Sequence, residues 1–405
     1  MTHKIVVIGG GFAGLRAVAG ATRQLELSGQ PPEPGAIALV SPDPWLTMRV
    51  RLYELDEPLD GLRVPLASVL GPLGALHLPM RVEAIDPERR RLTGRTPEGE
   101  ATTVEYERLV VATGSQLHRP DLPGLGEYAH SVDTYDDSAK LRAHLAALPT
   151  ASAGEGRFTA VVIGAGFTGI EAATELAGHL FKLAAQPGES ARVVLLERAD
   201  VVGPELGPGP RPAIEEALRE LAVDVRLGQT VTRIERDGVV LGSGERILAR
   251  TVLWTVGLRA NPLVATLGCE HDELGRVRVD PQLRVSGVKG VFAAGDVARA
   301  PIGSDHATLM SCQHALTLGT IAGHNAARDL LGQPLLEYAP PSYQTCLDLG
   351  AWGAVYCRGW DRAVISTRAE AKTVKQTINR VWIYPPSSGD RADILATAST
   401  TWPRP

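Results

Sequence analysis

Apolar residues gather in short unbroken runs, among them Lys4-Ile5-Val6-Val7-Ile8, Ala36-Ile37-Ala38-Leu39-Val40, Leu109-Val110-Val111-Ala112 and Ala160-Val161-Val162-Ile163. Runs of this length without polar alternation predict strands buried on both faces, as in parallel sheets. Further runs at 191–197, 251–257 and 290–296 share this character and end in Glu197, Gly257 and Asp296. Between them the apolar spacing shifts to the helical period, predicting helices over 12–27, 166–185 and 311–331, with Leu316, Ile321 and Ala322 on one face of the last and Gly332 as its stop. The tail from Pro340 reads as short β-rich pieces, a helix over 368–380, and a polar stretch to Pro405 after Pro385-Pro386. Strands alternating with helices predict an α/β fold with parallel sheets.

The Gly- and Pro-rich segment 28–35 is a loop, and Ala151-Ser152-Ala153-Gly154-Glu155-Gly156 is a flexible joint before the second half. At 405 residues the chain exceeds what one core serves, so two or three domains are expected. We expect a discontinuous first domain from 1–120 and 270–335, a second from 121–269 and a small C-terminal region from 336–405. A net charge of −5, with both signs interspersed, provides no basic stripe, which excludes nucleic acid as the expected partner. Residues 1–8 run straight into the first strand with no leader pattern, and no apolar run approaches the ~20 residues of a membrane-crossing helix. The expectation is a cytoplasmic protein, with contact to the inner membrane face left open. Cys269, Cys312, Cys346 and Cys357 form no close-spaced pair, and no metal-ligand pattern is present.

Two glycine fingerprints carry the chemistry: Gly9-Gly10-Gly11-Phe12-Ala13-Gly14 and Gly164-Ala165-Gly166-Phe167-Thr168-Gly169, each directly after a predicted strand. The first glycine permits the strand-to-helix turn, the second admits a pyrophosphate, and the third lets helix pack on strand. The helix N-terminus adds free N–H groups and a positive dipole end. After the second fingerprint, the next strand ends in Glu197, an acid suited to ribose hydroxyls and adverse to a 2′-phosphate, although Arg198 stands beside it. After the first, the equivalent position is Ser41, with Asp43 two residues on. The chain is therefore expected to bind two dinucleotides on two Rossmann-like domains.

The ordered set of Gly9 to Gly14, Ala112-Thr113-Gly114, Gly164 to Gly169 with Glu171, Trp254-Thr255-Val256-Gly257 and Ala293-Ala294-Gly295-Asp296 resembles the type II NADH dehydrogenases among the two-dinucleotide flavoproteins. By this resemblance the first domain holds FAD, with Gly9, Gly11, Phe12, Ala13 and Gly14 at its pyrophosphate. Ser41, Arg49, Val82, Ala112, Thr113, Gly114, Gly295 and Asp296 would line the rest of it, Asp296 taking the ribityl hydroxyls. The second domain would hold NADH, favoured over NADPH, through Gly164, Gly166, Gly169, Glu197 and Gly257. The resemblance further assigns Glu171, Gln313 and Lys375 to catalysis and places Cys312 and Gln313 at the flavin and acceptor side. There Cys312 and Thr317 replace the alanine and second glutamine of the family's Ala-Gln-x-Ala-x-Gln pattern.

The implied reaction passes hydride from NADH to flavin and two electrons on to a quinone, without a redox-active disulfide. Two alternatives stay open: a soluble NAD(P)H-dependent reductase acting on a ferredoxin-type protein or a biosynthetic small molecule, and a non-enzymatic flavin-binding signalling protein. A homodimer also stays open. His314, a lone helix histidine, reads as packed or solvated rather than as an acid or base.

Overall fold

The structure is a computed structural model and describes residues 2–401. The opening apolar run forms β1 (Thr2–Ile8), which Gly9–Gly11 turn into α1 (Phe12–Leu27). Parallel to β1 lies β2 (Ile37–Ser41), with Ile5 opposite Ile37, and β3 (Leu76–Pro79) lies outside it. β4 (Arg81–Asp86) and β5 (Arg91–Arg95) form an antiparallel hairpin leading into the long β6 (Ala101–Val111), which returns beside β1. Ile5, Val6, Val7, Leu39 and Leu109 have no solvent exposure, as a two-sided strand requires. Burying each such side chain contributes ~1.5–3 kcal/mol.

A second, four-stranded parallel sheet follows, built from β7 (Thr159–Ile163), β8 (Arg192–Leu196), β9 (Val223–Arg226) and β10 (Thr251–Trp254) in the order β9-β8-β7-β10. Its fingerprint helix is α2 (Phe167–Ala185), between β7 and β8. Residues 115–117 and 258–260 cross as a short antiparallel ribbon where the chain leaves for this sheet and returns from it.

The chain then completes the first sheet. β11 (Val291–Ala293) joins the far half of β6, Val291 opposite Leu109, and α3 (Cys312–Leu330) packs along α1. That packing is close enough that a Cβ on Gly319 or Gly323 would collide with the carbonyl oxygens of Ala13 and Ala17. β12 (Gln344–Asp348), β13 (Ala354–Arg358) and β14 (Ala363–Thr367) make an antiparallel sheet, and α4 (Arg368–Thr377) packs on it.

Two details of the tail differ from the expectation. The last long helix ends at Thr377 and widens into a π turn over 378–382, carrying Asn379 inward to donate to Glu54 (2.8 Å). The polar stretch beyond Pro386 forms α5 (Arg391–Ala396), which docks on α1 by burying Ile394 and Leu395 and pairing Arg391 with Glu26 (2.5 Å). Two apolar residues suffice there because the ion pair and the Arg16 side chain, which donates to the Thr397 carbonyl, share the docking.

Candidate active site

At the first fingerprint the backbone explains the glycines. Gly9 is left-handed (φ +113°), and a Cβ on Gly14 would collide with the Gly9 carbonyl. Gly11 faces no atom within 4 Å of where its Cβ would be, and no side chain caps α1. With no side chain among the described residues capping it, the helix start keeps N–H groups of the kind that receive a phosphate. Ser41 closes β2 beside Gly10, its hydroxyl donating to the Asp43 carbonyl (3.1 Å). The Met80 N–H donates to the Ser41 carbonyl (3.3 Å), which brings Val82, two residues on, to the same strand end.

Asp296 sits on the turn after β11 and accepts from the Ser115 hydroxyl (2.6 Å), with Arg49 Nη1 at 3.8 Å. Arg49 also donates to Ser115 Oγ (2.8 Å) and pairs with Asp133. Burial raises the Asp296 carboxyl above its ordinary range, against the pull of Ser115 and Arg49. Gly295 presses on Ala13, and the Ala112 carbonyl lies under Gly9, so the scattered first-domain residues converge. Thr113 Oγ1 is buried and has no hydrogen-bond partner among the described residues. A buried orphan hydroxyl beside an open phosphate seat is what a nucleotide-lined surface leaves when only protein is present.

The second fingerprint repeats the turn: a Cβ on Gly169 would collide with the Gly164 carbonyl. The buried Glu197 carboxylate accepts from the N–H groups of Ala165 (2.8 Å) and Ala199 (2.9 Å), which fixes it at the end of β8. Thr255 donates to the Ile163 carbonyl (2.8 Å), and Gly257 turns the chain away in a left-handed conformation (φ +75°).

Just past the second fingerprint, where α2 meets β12 and α4, lies a buried charge cluster. Lys375 of α4 pairs with Glu171 of α2 (2.8 Å) and donates to the Cys346 carbonyl (3.2 Å). The Asp348 N–H donates to the same Glu171 oxygen (3.1 Å), and Lys372 pairs with the Asp348 carboxylate (2.6 Å). Burial pushes Glu171 above the usual carboxylate range, opposed by Lys375 and reinforced by Asp348. Burial would lower Lys375, but the Glu171 charge more than reverses this, so the amine stays cationic.

Tyr53, 4% exposed, places its ring 5.8 Å from Lys375 Nζ, and its buried hydroxyl has no partner among the described residues. Burial, followed by the Glu171 charge, raises that phenol.

On α3, Gln313 donates to the Ser342 carbonyl (3.2 Å) and accepts from the Gln344 N–H (3.3 Å), so its amide anchors the strand β12. Thr317 hydrogen-bonds the buried Tyr338 hydroxyl (2.8 Å). His314 is packed, stacked on Tyr343 at 5.4 Å, and burial lowers it to about 4. All four cysteines are free thiols; burial pushes Cys312 up and Cys346 up to about 12, which disfavours thiolate chemistry. Tyr53 and Asp348 carry no motif, and only their positions in the fold reveal them.

Two glycine fingerprints, each turning a parallel strand into a helix, stand in this fold with a buried acid–amine pair that ties the second of those helices to α4. The chain belongs to the pyridine nucleotide-disulphide oxidoreductase family, which it matches over residues 3–319. Within that family its resemblance to the type II NADH dehydrogenases holds, and it is an oxidoreductase enzyme. It is 46% identical over 404 residues to the NADH dehydrogenase-like protein MT1860 of Mycobacterium tuberculosis (strain CDC 1551 / Oshkosh), covering 99% of this chain and 100% of that one. It is 30% identical over 361 residues to the demethylphylloquinone reductase NdbB of Synechocystis sp., covering 87% and 86%. The fold matches that of NDH2 from Plasmodium falciparum with a TM-score of 0.77 at 13% identity, covering 98% and 97%.

Proposed function

We propose that the protein binds FAD on the first fingerprint and NADH on the second, and reduces a quinone. The observation that carries this reading is the Glu171–Lys375 pair, in which an acid two residues past the second fingerprint is held by an amine of the C-terminal helix α4. The names of the relatives, a NADH dehydrogenase-like protein and a demethylphylloquinone reductase, agree with it. For FAD the fitting residues are Gly11 with its open surroundings, the orphan Thr113 hydroxyl and the Asp296 carboxylate; Arg49, Ser41 and Val82 complete the set. A flavin there supplies two-electron transfer between NADH and an acceptor.

The chain's own residues do the rest. Glu197 orients the adenosine ribose and disfavours NADPH, since a 2′-phosphate would stand beside a buried carboxylate. Glu171, an anion paired with Lys375 whose proton affinity burial raises, takes up a proton and passes it to the reduced acceptor. Tyr53, itself buried, sets its ring beside Lys375 and so keeps that side of the pair apolar. Gln313 anchors β12 and thereby sets the acceptor side.

Val381 and Trp382, 63% and 50% exposed after α4, are the residues through which we place contact with a membrane surface bearing the quinone. Among the described residues no helix is long and apolar enough to cross a membrane.

The test is anaerobic mixing of the flavin-loaded enzyme with NADH, followed by a short-chain quinone. Bleaching of the flavin and prompt recovery are expected. Bleaching without recovery moves the acceptor to another molecule, and no bleaching overturns the NADH site.

A further inference from the structure

The two fingerprints differ in what stands over their second glycine. Over Gly166 lies a carboxylate: Glu205 Oε1 is 2.7 Å from where a Cβ on that glycine would be, and it accepts from the Phe167 N–H (3.4 Å). Glu205 comes from the turn Pro204–Leu206, reached through the left-handed Gly203 (φ +56°). Its side chain is exposed, so it can leave for solvent without unpacking any core. A carboxylate at a helix N-terminus satisfies the N–H groups and dipole end that otherwise take a phosphate.

A cation stands beside this seat. Arg362, at the hairpin tip between β13 and β14, lies 5.8 Å over the ring of Phe167, the first residue of α2, and 5.8 Å from the Tyr343 ring. Its Nη1 is buried and has no hydrogen-bond partner among the described residues. The tip leans on the loop after Glu205: a Cβ on Gly209 would come within 2.6 Å of the Arg362 carbonyl. A buried guanidinium nitrogen without a partner is costly, and a phosphate oxygen is the acceptor its geometry suits best.

We propose that Glu205 is an internal anion holding the pyrophosphate seat of the second fingerprint, which NADH takes by displacing it, and that Arg362 is the cation its phosphates then gain. This rests on the NADH reading of that fingerprint. The exchange makes no covalent bond: one carboxylate moves to water, and two phosphates take the helix end with Arg362 as counter-charge. Both are positioning residues for the dinucleotide, and Arg362 ties the C-terminal sheet to occupancy of the NADH site.

The test is calorimetric titration of the flavin-loaded enzyme with ADP-ribose, which carries the pyrophosphate but no nicotinamide and so reads binding apart from turnover. Glu205→Gln, which keeps the side-chain length and an acceptor, is expected to bind ADP-ribose about three- to tenfold more tightly than the parent. Arg362→Gln is expected to bind it about tenfold more weakly. Thermal melting without nucleotide checks that both variants are folded. Binding by Glu205→Gln no tighter than that of the parent overturns the proposal while leaving the NADH site intact. A parent enzyme that binds neither ADP-ribose nor NADH overturns the reading of the fingerprint, and the proposal with it.

Discussion

The two strand-to-helix turns of this protein share one backbone design and differ in nearly everything that surrounds it. Gly14 and Gly169 are both forced, since a Cβ on either would strike the carbonyl of the first fingerprint glycine. Past that shared geometry the first seat is open and its neighbouring strand ends in neutral Ser41, whereas the second is flanked by Glu197 and covered by Glu205. The contrast extends along the helices. Two residues beyond the third glycine, α1 carries Arg16 and α2 carries Glu171. Each is held by the C-terminal region: Arg16 donates to the Thr397 carbonyl and Glu171 pairs with Lys375. Burial lowers Arg16 to about 10 and raises Glu171, so both side chains are displaced toward their neutral forms at opposite ends of the pH scale. One turn geometry thus serves two seats, and what each seat accepts is decided by residues brought from elsewhere.

The largest effects are expected where the shared design is broken. Gly14→Val is expected to yield protein without flavin, and Gly169→Val to yield yellow protein whose flavin NADH no longer bleaches, each a loss of about 100-fold or more in nucleotide affinity. The discriminating result is the crossed one. Flavin retained in Gly14→Val, or normal bleaching in Gly169→Val, would reverse or abolish the division of labour between the two sheets.

A smaller effect follows from the acid that only the second seat possesses. In Glu197→Ala the Ala165 and Ala199 N–H groups lose their acceptor, and the proposed ribose contact is lost with it. The kcat/KM for NADH is expected to fall about 10- to 100-fold, with that for NADPH unchanged or raised. Steady-state kinetics with both donors decide it, and an unaltered preference would show that Glu197 does not read the ribose.

The shared geometry was legible in the sequence because sterics leave little choice. Apolar runs at 4–8 and 160–163 become central strands, and the glycine spacing after each becomes the turn, with no tertiary information needed. Ser41, Arg49, Thr113 and Asp296 were placed by the resemblance, and the fold brings them around one seat. What was not legible arises from long loops and from the tail. Glu205 reaches Gly166 through a left-handed glycine, Arg362 arrives on a hairpin tip, and Tyr53 is buried by packing against Lys375. The short helix 391–396 escaped notice because its apolar contribution is two residues and its docking depends on Arg16 and Glu26, hundreds of residues away in sequence. Gln313 matched its motif, but the fold engages its amide with the backbone of Ser342 and Gln344, a use that spacing alone does not encode.

The smallest expected effect is a displacement in pH, and it tests whether Glu171 on α2 holds a proton for the acceptor. Burial raises Glu171, Lys375 opposes the rise and Asp348 adds to it. The folded protein therefore binds this proton more tightly than the unfolded chain. Its contribution to stability is full in acid and declines as pH rises through the folded value. If flavin reoxidation by a short-chain quinone needs protonated Glu171, its rate falls as pH rises through that same value. Lys375→Met removes the opposing cation and should move the falling limb to higher pH, whereas Asp348→Asn removes the reinforcing anion and should move it to lower pH. Stopped-flow reoxidation across pH reads both shifts. Opposite displacements require an acid beside Lys375 and Asp348 as the titrating group, because a merely structural pair would change the rate at every pH without moving the limb; Tyr53→Phe, which removes the other acid of this cluster, leaves the limb in place where that acid is Glu171. Displacement of both variants in the same direction would assign the proton to a group outside this cluster.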